Sequence, residues 1–251
     1  MPLSANAMTS HSIDDHRHWP SEGQVFEVNH VELAVRDGDH PFHLANVEAA
    51  KVNWTLAKEA KPALFDGQMA LFHRLGLSDG QVVGDCHMIP YSTYLLWRQQ
   101  ADPESGYHLF CFPVLFSSDG ALIAVEMGAQ TANAGLVYCA AGSLDQSDIV
   151  DGYLDIEGNM RREVKEETGL SLEDAAVDPQ LRGFRRGRIV TLFRRFYLPM
   201  TADEVFEKIE AHMVVDHEQE IARPVALRSS VSDTHRFSDA MQQLLDWVFP
   251  R

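Results

Sequence analysis

The run Met160-Arg-Arg-Glu-Val-Lys-Glu-Glu-Thr-Gly-Leu170 constrains this chain more than any other stretch. At about 100° per residue, Glu163, Glu166 and Glu167 fall on one arc of a helix, with Met160 and Val164 beside them at i, i+4 spacing as the buried stripe. Asp155 stands where an N-cap belongs and Gly169 where a terminating glycine belongs, so both ends of the helix are marked. Three carboxylates gathered this closely repel one another unless a cation sits among them. Oxygen-only ligation selects a hard ion, Mg²⁺ or Mn²⁺. A solvated Glu/Lys face is the alternative for any charge run. It does not account for Arg162, Val164, Gly169 and Leu170.

Those residues carry a resemblance. Arg162 to Leu170 resembles the second half of the Nudix hydrolase signature, Gly-x5-Glu-x7-Arg-Glu-U-x-Glu-Glu-x-Gly-U with U aliphatic, and matches it at every specified position. With Gly142 as the leading glycine, six residues are extra before Arg162, and Leu154 stands where counting back from Arg162 puts the first glutamate. Asp155 or Glu157 could substitute, although neither is in register.

The resemblance implies an α+β fold, a Nudix-like α/β/α sandwich around a mixed sheet. It also implies hydrolysis of a nucleoside diphosphate linked to another group, with Mg²⁺ or Mn²⁺ held by the Gly142 carbonyl, Glu163, Glu166 and Glu167. Arg162 would orient the acidic arc by ion pairing, and either Glu163 or Glu220 would act as base, with Glu218 as the backup for Glu220. The segment Pro62-Ala-Leu-Phe-Asp-Gly67 and the extra residues before Arg162 are similar to a branch acting on nucleotide-sugars such as UDP-glucose, with ADP-ribose close behind. The alternative is a non-hydrolytic nucleotide-binding sensor that kept the fold.

Composition narrows the partners. A formal charge of −16 opposes nucleic-acid binding, which draws its affinity from Lys and Arg, and opposes docking on anionic membranes. The expected partner is a small nucleotide. Cys86, Cys111 and Cys139 form no CxxC pair and read as buried hydrophobes. No run of about 18 apolar residues occurs, and the first 20 residues lack the apolar core of a secretory signal. A cytoplasmic location is the expectation.

The expected layout is a polar tail over 1–20, in which His11, His16 and His18 are solvated, an N-terminal α+β subdomain over 21–106, and the catalytic domain over 107–251. The first subdomain offers a surface for a homodimer or a cover over the substrate. Its helix, Phe42 to Ala60, has Leu44, Val47, Val52, Trp54 and Leu56 as core candidates, and His87 reads as a packed residue. In the second domain, Tyr107 to Phe116 and Ala121 to Met127 form a hairpin around Ser117-Ser-Asp-Gly120, and Gly135 to Gly142 is a strand leading to the signature. Leu181 to Leu198 reads as a long strand region carrying six arginines, of which Arg186 and Arg194 are the candidates to clamp a diphosphate. Pairing with surface carboxylates is the equal alternative. Helices over 201–212 and 237–248 complete the chain.

Overall fold

The computed structural model describes residues 19–100, 106–217, 219–231 and 233–250. The N-terminal tail with His11, His16 and His18, and the backup residue Glu218, lie outside the described residues. In chain order the elements are β1 (Phe26–Val28), β2 (His30–Val35), α1 (Pro41–Ala60), β3 (Gln68–Ser78), β4 (Gln81–Pro90), α2 (Tyr91–Trp97), β5 (His108–Phe116), β6 (Leu122–Met127) and β7 (Leu136–Tyr138). Then follow β8 (Ile149–Val150), β9 (Tyr153–Leu154), α3 (Ile156–Thr168), β10 (Ala176–Val177), β11 (Leu181–Arg186), β12 (Ile189–Tyr197), α4 (Ala202–Val215), β13 (Ile221–Leu227), β14 (Arg236–Phe237) and α5 (Asp239–Val248).

The strands form two mixed sheets. The larger runs β1-β11-β12-β5-β6-β7-β14, with β10 on β12 and β13 on β6; β5 lies parallel to β12. The smaller runs β3-β4-β2-β9-β8. Alternation along β12 shows how helices cover the larger sheet. Phe196 carries the Arg161 guanidinium of α3 at 5.5 Å, while Phe193, three residues earlier and so on the other face, meets Trp247 of α5 at 5.1 Å. Helices therefore lie on both faces of the sheet, an α+β arrangement with the layering that the sequence resemblance implies. Strand exchange ties the sheets together: β1 pairs with β11, and β9 from the second half of the chain pairs with β2.

Two expectations are corrected here. Leu44, Val52 and Leu56 of α1 are 62%, 65% and 60% exposed, because they lie on the side of the helix opposite Phe42, Val47, Ala50 and Trp54, which are buried or half-buried. The region from Leu181 to Leu198 is a hairpin rather than one strand. It turns at Gly187, whose φ of +57° costs a glycine little. All three cysteines are free and buried, and among the described residues no helix is long and apolar enough to cross a membrane.

His87 packs as expected, among His40 and His73 at ring distances of 5.9 and 4.9 Å. His40 also caps α1, its Nδ1 accepting from the Phe42 N–H at 3.0 Å. Burial, reinforced by the neighbouring His87, His73 and His43, pushes His40 down to about 4. A histidine held neutral in the fold but free to charge when unfolded adds stability above its ordinary value near 6.5, and that stability is lost as pH falls from there toward 4. The His40→Asn variant keeps a capping acceptor without the titration. Its melting temperature should therefore fall less steeply than the wild type's between pH 6.5 and 4, which melts across that range will check.

Candidate active site

Helix α3 begins at Asp155, whose Oδ1 accepts from the Gly158 N–H at 2.9 Å, and ends at Gly169 with φ +71°. Both caps are those read from the sequence. The side chain of His212 in α4 seals the far end, its Nε2 lying 2.8 Å from the Glu166 carbonyl oxygen. Met160 and Val164 are fully buried, which fixes the rotation of the helix and turns Glu163 and Glu167 inward to near-complete burial.

Arg162 organises the carboxylates. Its guanidinium reaches Asp148 at 3.1 Å, Glu163 at 2.8 Å and Glu166 at 2.7 Å. Asp148 is the partner the sequence reading missed. It is 4% exposed, and its Oδ2 also accepts from the Asp145 N–H at 2.9 Å and the Asn159 amide at 3.0 Å. The signal was present, because Asp148 stands six residues after Gly142, the spacing of the signature's first acid counted forward from the glycine. The six extra residues are Ile149 to Leu154, which close on themselves as the β8–β9 hairpin. The Asp155 N–H bonds the Asp148 carbonyl at 2.8 Å, so the chain leaves and rejoins the signature at one point. Neither Asp155, which caps α3, nor Glu157, which pairs with Arg161 and Arg194, is the substitute.

Gly142 faces this cluster. A Cβ there would lie 2.4 to 2.6 Å from the Glu163 carboxylate, so glycine alone lets the backbone approach. Burial above all pushes Glu163 up to about 8, with Arg162 opposing and Glu166, Asp148 and Glu220 adding to the rise. Glu167 is raised well above the ordinary carboxylate range, first by burial and then by Glu163 and Glu220, and its Oε2 meets no partner. Glu220 enters from the opposite wall just before β13. It is held by the Gly128 N–H bonding its carbonyl at 2.7 Å, and Gln219 precedes it at φ +50°.

These groups line a cleft that opens where β5 and β6 part. The two strands pair only at Leu115–Ile123 and Phe116–Leu122, and farther back β5 bridges to Ser143 instead. A polar lobe of about 410 Å³ contains Gly142, Glu163, Glu166 and Glu220, and Ala63, Leu64, Phe65 and Gly67 of the segment Pro62 to Gly67 form part of its wall. A second lobe of about 310 Å³ shares Tyr91, Thr131, Gly142 and Glu220 with the first and adds Glu167. Lys61 at the end of α1 steadies the loop between them, bonding the Thr131 carbonyl at 2.6 Å.

Arg186 and Arg194 are not in this cleft. Arg186 ends the β11 strand and pairs with Asp239 at 2.9 Å, while Arg194 is bound to Glu157 at 2.7 Å beside α3. The other arginines of the hairpin are engaged as well: Arg182 and Arg195 share Asp178, and Arg185 and Arg188 bond backbone carbonyls.

Among the described residues no three His, Cys, Asp or Glu side chains converge as a ready-made metal cage, and the Glu166 carboxylate is bonded by Arg162 at 2.7 Å. The donor set still fits a hard cation. Glu163 and Glu167 are buried oxygen donors, Glu167 Oε2 meets no partner, and Gly142 of a close-packed loop stands against Glu163.

The glycine-led loop, the acidic helix and the mixed sheet come together around one cleft. No protein-family model matches the chain, and no curated protein matches it. Solved structures similar to it include DR0079 from Deinococcus radiodurans, 13% identical over 72% of this chain and 98% of that one, with a TM-score of 0.46. The pyrophosphohydrolase BsRppH of Bacillus subtilis is 16% identical over 57% and 78%, with a TM-score of 0.33. The MutT protein of Methanosarcina mazei Go1 is 18% identical over 36% and 62%, with a TM-score of 0.27.

The Asp148–Arg162 pair is testable on its own. Arg162 keeps Glu163 and Glu166 when Asp148 is removed, but the Asp145 N–H and the buried Asn159 amide lose their acceptor, at a cost of about 3 kcal/mol. Asp148→Ala should lose roughly that much in urea denaturation, whereas Asp155→Ala, which removes only a cap, should lose about 1 kcal/mol.

Proposed function

We propose that this chain is a Nudix-type hydrolase that cleaves the diphosphate linkage of a nucleoside diphosphate joined to another group, with Mg²⁺ or Mn²⁺ as cofactor. The observation that carries the reading is the pair of buried carboxylates, Glu163 and Glu167, set against Gly142 in a cleft that Glu220 enters from the far side. Buried carboxylates that raise one another's proton affinity are costly to the fold. They are retained where they bind a cation.

The Gly142 carbonyl, Glu163, Glu166 and Glu167 are the groups that would hold the ion. Bound there, a divalent cation neutralises diphosphate charge and activates a water for attack at phosphorus. Arg162 keeps the arc in shape, since it ties Glu163 and Glu166 to the saturated Asp148 carboxylate. Glu220 approaches from a different element and is the residue assigned to take the proton from the attacking water. The substrate class is a nucleotide-sugar, UDP-glucose-like or ADP-ribose. Its small size agrees with a two-lobed cleft of about 310 and 410 Å³, within the range of small-molecule sites.

Asp148 weakens the sensor alternative. With it, the signature has an acid at its first position, and the loop that stretches the sequence does not stretch the site.

The test is a turnover panel. With Mg²⁺, purified protein should release nucleoside monophosphate from UDP-glucose or ADP-ribose. Glu167→Gln, which keeps the shape but not the charge, should fall by about a thousandfold or more in kcat with its melting temperature preserved. If no nucleotide-sugar turns over while several raise the melting temperature, the protein is a binding sensor and the hydrolase reading fails.

A further inference from the structure

Arg186 and Arg194 are engaged outside the cleft, which raises the question of which protein group meets the oxygens of a diphosphate. Tyr138, the last residue of β7, is placed to do so. Its neighbour Val137 is fully buried, and alternation turns Tyr138 to the other face, where it lines the second lobe together with Gly142, Glu167 and Glu220. The ring lies nearly parallel to that of Phe112 at 6.4 Å, and Phe112 lines the same lobe. Asn133, also in the lobe wall, donates from Nδ2 to the Tyr138 hydroxyl oxygen at 3.3 Å. Two lining side chains thus meet at the hydroxyl. Glu167 and Glu220 are close enough to add to a rise in its proton affinity that comes mainly from burial and that the Asn133 bond opposes.

The Asn133 bond fixes the use of the hydroxyl's own proton. An amide nitrogen only donates, so the tyrosine oxygen is the acceptor here and its O–H is left to donate elsewhere. Among the described residues this is the one hydrogen bond that the Tyr138 side chain makes, and Glu167 Oε2 in the same lobe likewise meets no partner. The proton is therefore available to a group that enters the lobe. A cationic side chain among these carboxylates would be drawn into ion pairs, as Arg162 is with Asp148, Glu163 and Glu166. A neutral O–H is not consumed in that way. An ionised phosphoryl oxygen, which only accepts, is its complement, and a hydrogen bond to such an oxygen is among the strong ones.

We propose that the Tyr138 hydroxyl, aimed by Asn133, donates a hydrogen bond to a phosphoryl oxygen of the substrate in the second lobe. The inference rests on the hydrolase reading for the identity of the substrate, and it adds the protein group that touches the diphosphate from the β7 side. No proton changes hands. The hydroxyl keeps its hydrogen and steadies the negative charge that builds on oxygen as the P–O bond to the leaving group breaks, which is what a preorganised donor contributes. Asn133 touches no reacting atom and is a positioning residue, acting through the direction it imposes on the tyrosine.

Tyr138→Phe removes the donor and keeps the ring. Calorimetric titration with inorganic diphosphate in the presence of Mg²⁺ should find it bound about tenfold more weakly than by wild type, and turnover of UDP-glucose or ADP-ribose should fall about a hundredfold. Asn133→Asp separates the direction of the hydroxyl from its presence. An aspartate accepts where the amide donated, so it takes the hydroxyl's proton and turns it from the substrate. It should lose as much as Tyr138→Phe, and the double variant should lose little more than either, because both act through one hydrogen. A double variant in which the two losses simply add shows that the new charge acts by itself, and it overturns the proposal. So does either single variant that is folded by circular dichroism and binds diphosphate as tightly as wild type, or a wild type that does not bind diphosphate. Weakened diphosphate binding in both single variants, with no hydrolysis by wild type, supports the donor while sinking the hydrolase reading. Hydrolysis by wild type that Tyr138→Phe leaves unchanged, with diphosphate affinity also unchanged, does the reverse.

Discussion

The site depends on the Arg162 guanidinium and the carboxylates around it. One cation holds Asp148, Glu163 and Glu166 at once, and Asp148 is itself saturated by a backbone N–H and the Asn159 amide. Take that cation away and the glycine-led loop, the 3₁₀ turn at Gln146–Asp148 and the helix lose their common anchor. Only close packing makes the arrangement tolerable: Gly142 admits the loop to van der Waals distance of Glu163, and Met160 and Val164 fix the helix rotation that brings Glu163 and Glu167 inward.

Much of this was legible in the sequence. The acidic arc, its packing stripe and both caps of α3 follow from helical period and from residue types with unambiguous local chemistry. The capping box at Thr201 and Glu204 was readable for the same reason, and its hydroxyl and carboxylate bond each other's backbone as that pattern requires. Asp148 was not read because the spacing was counted backward from Arg162, across a hairpin whose length has no bearing on the site.

Other failures have different physical causes. In α1 the apolar residues are spread around the helix, and Leu44, Val52 and Leu56 fall on the face away from Phe42 and Ala50, so being apolar does not make them core. The six arginines suggested an anion clamp, but hairpin geometry brings Arg182 and Arg195 onto Asp178, and Arg194 onto Glu157. Phe110 and Phe112, which line the second lobe of the cleft, lay hidden in the run from His108 to Phe116. A strand apolar on both faces shows no alternation, so sequence gave no hint that one face borders a cleft.

The β8–β9 hairpin has a mechanical consequence. Tyr153 pairs with Ala34, and the Val35 N–H bonds the Gly152 carbonyl at 2.9 Å, so the hairpin is fastened to the smaller sheet at its tip. At its base sit Asp148 and Asp155, the anchor of Arg162 and the cap of α3. A load that separates the two sheets at this point is therefore delivered through a six-residue lever to the first turn of the helix that bears the carboxylates.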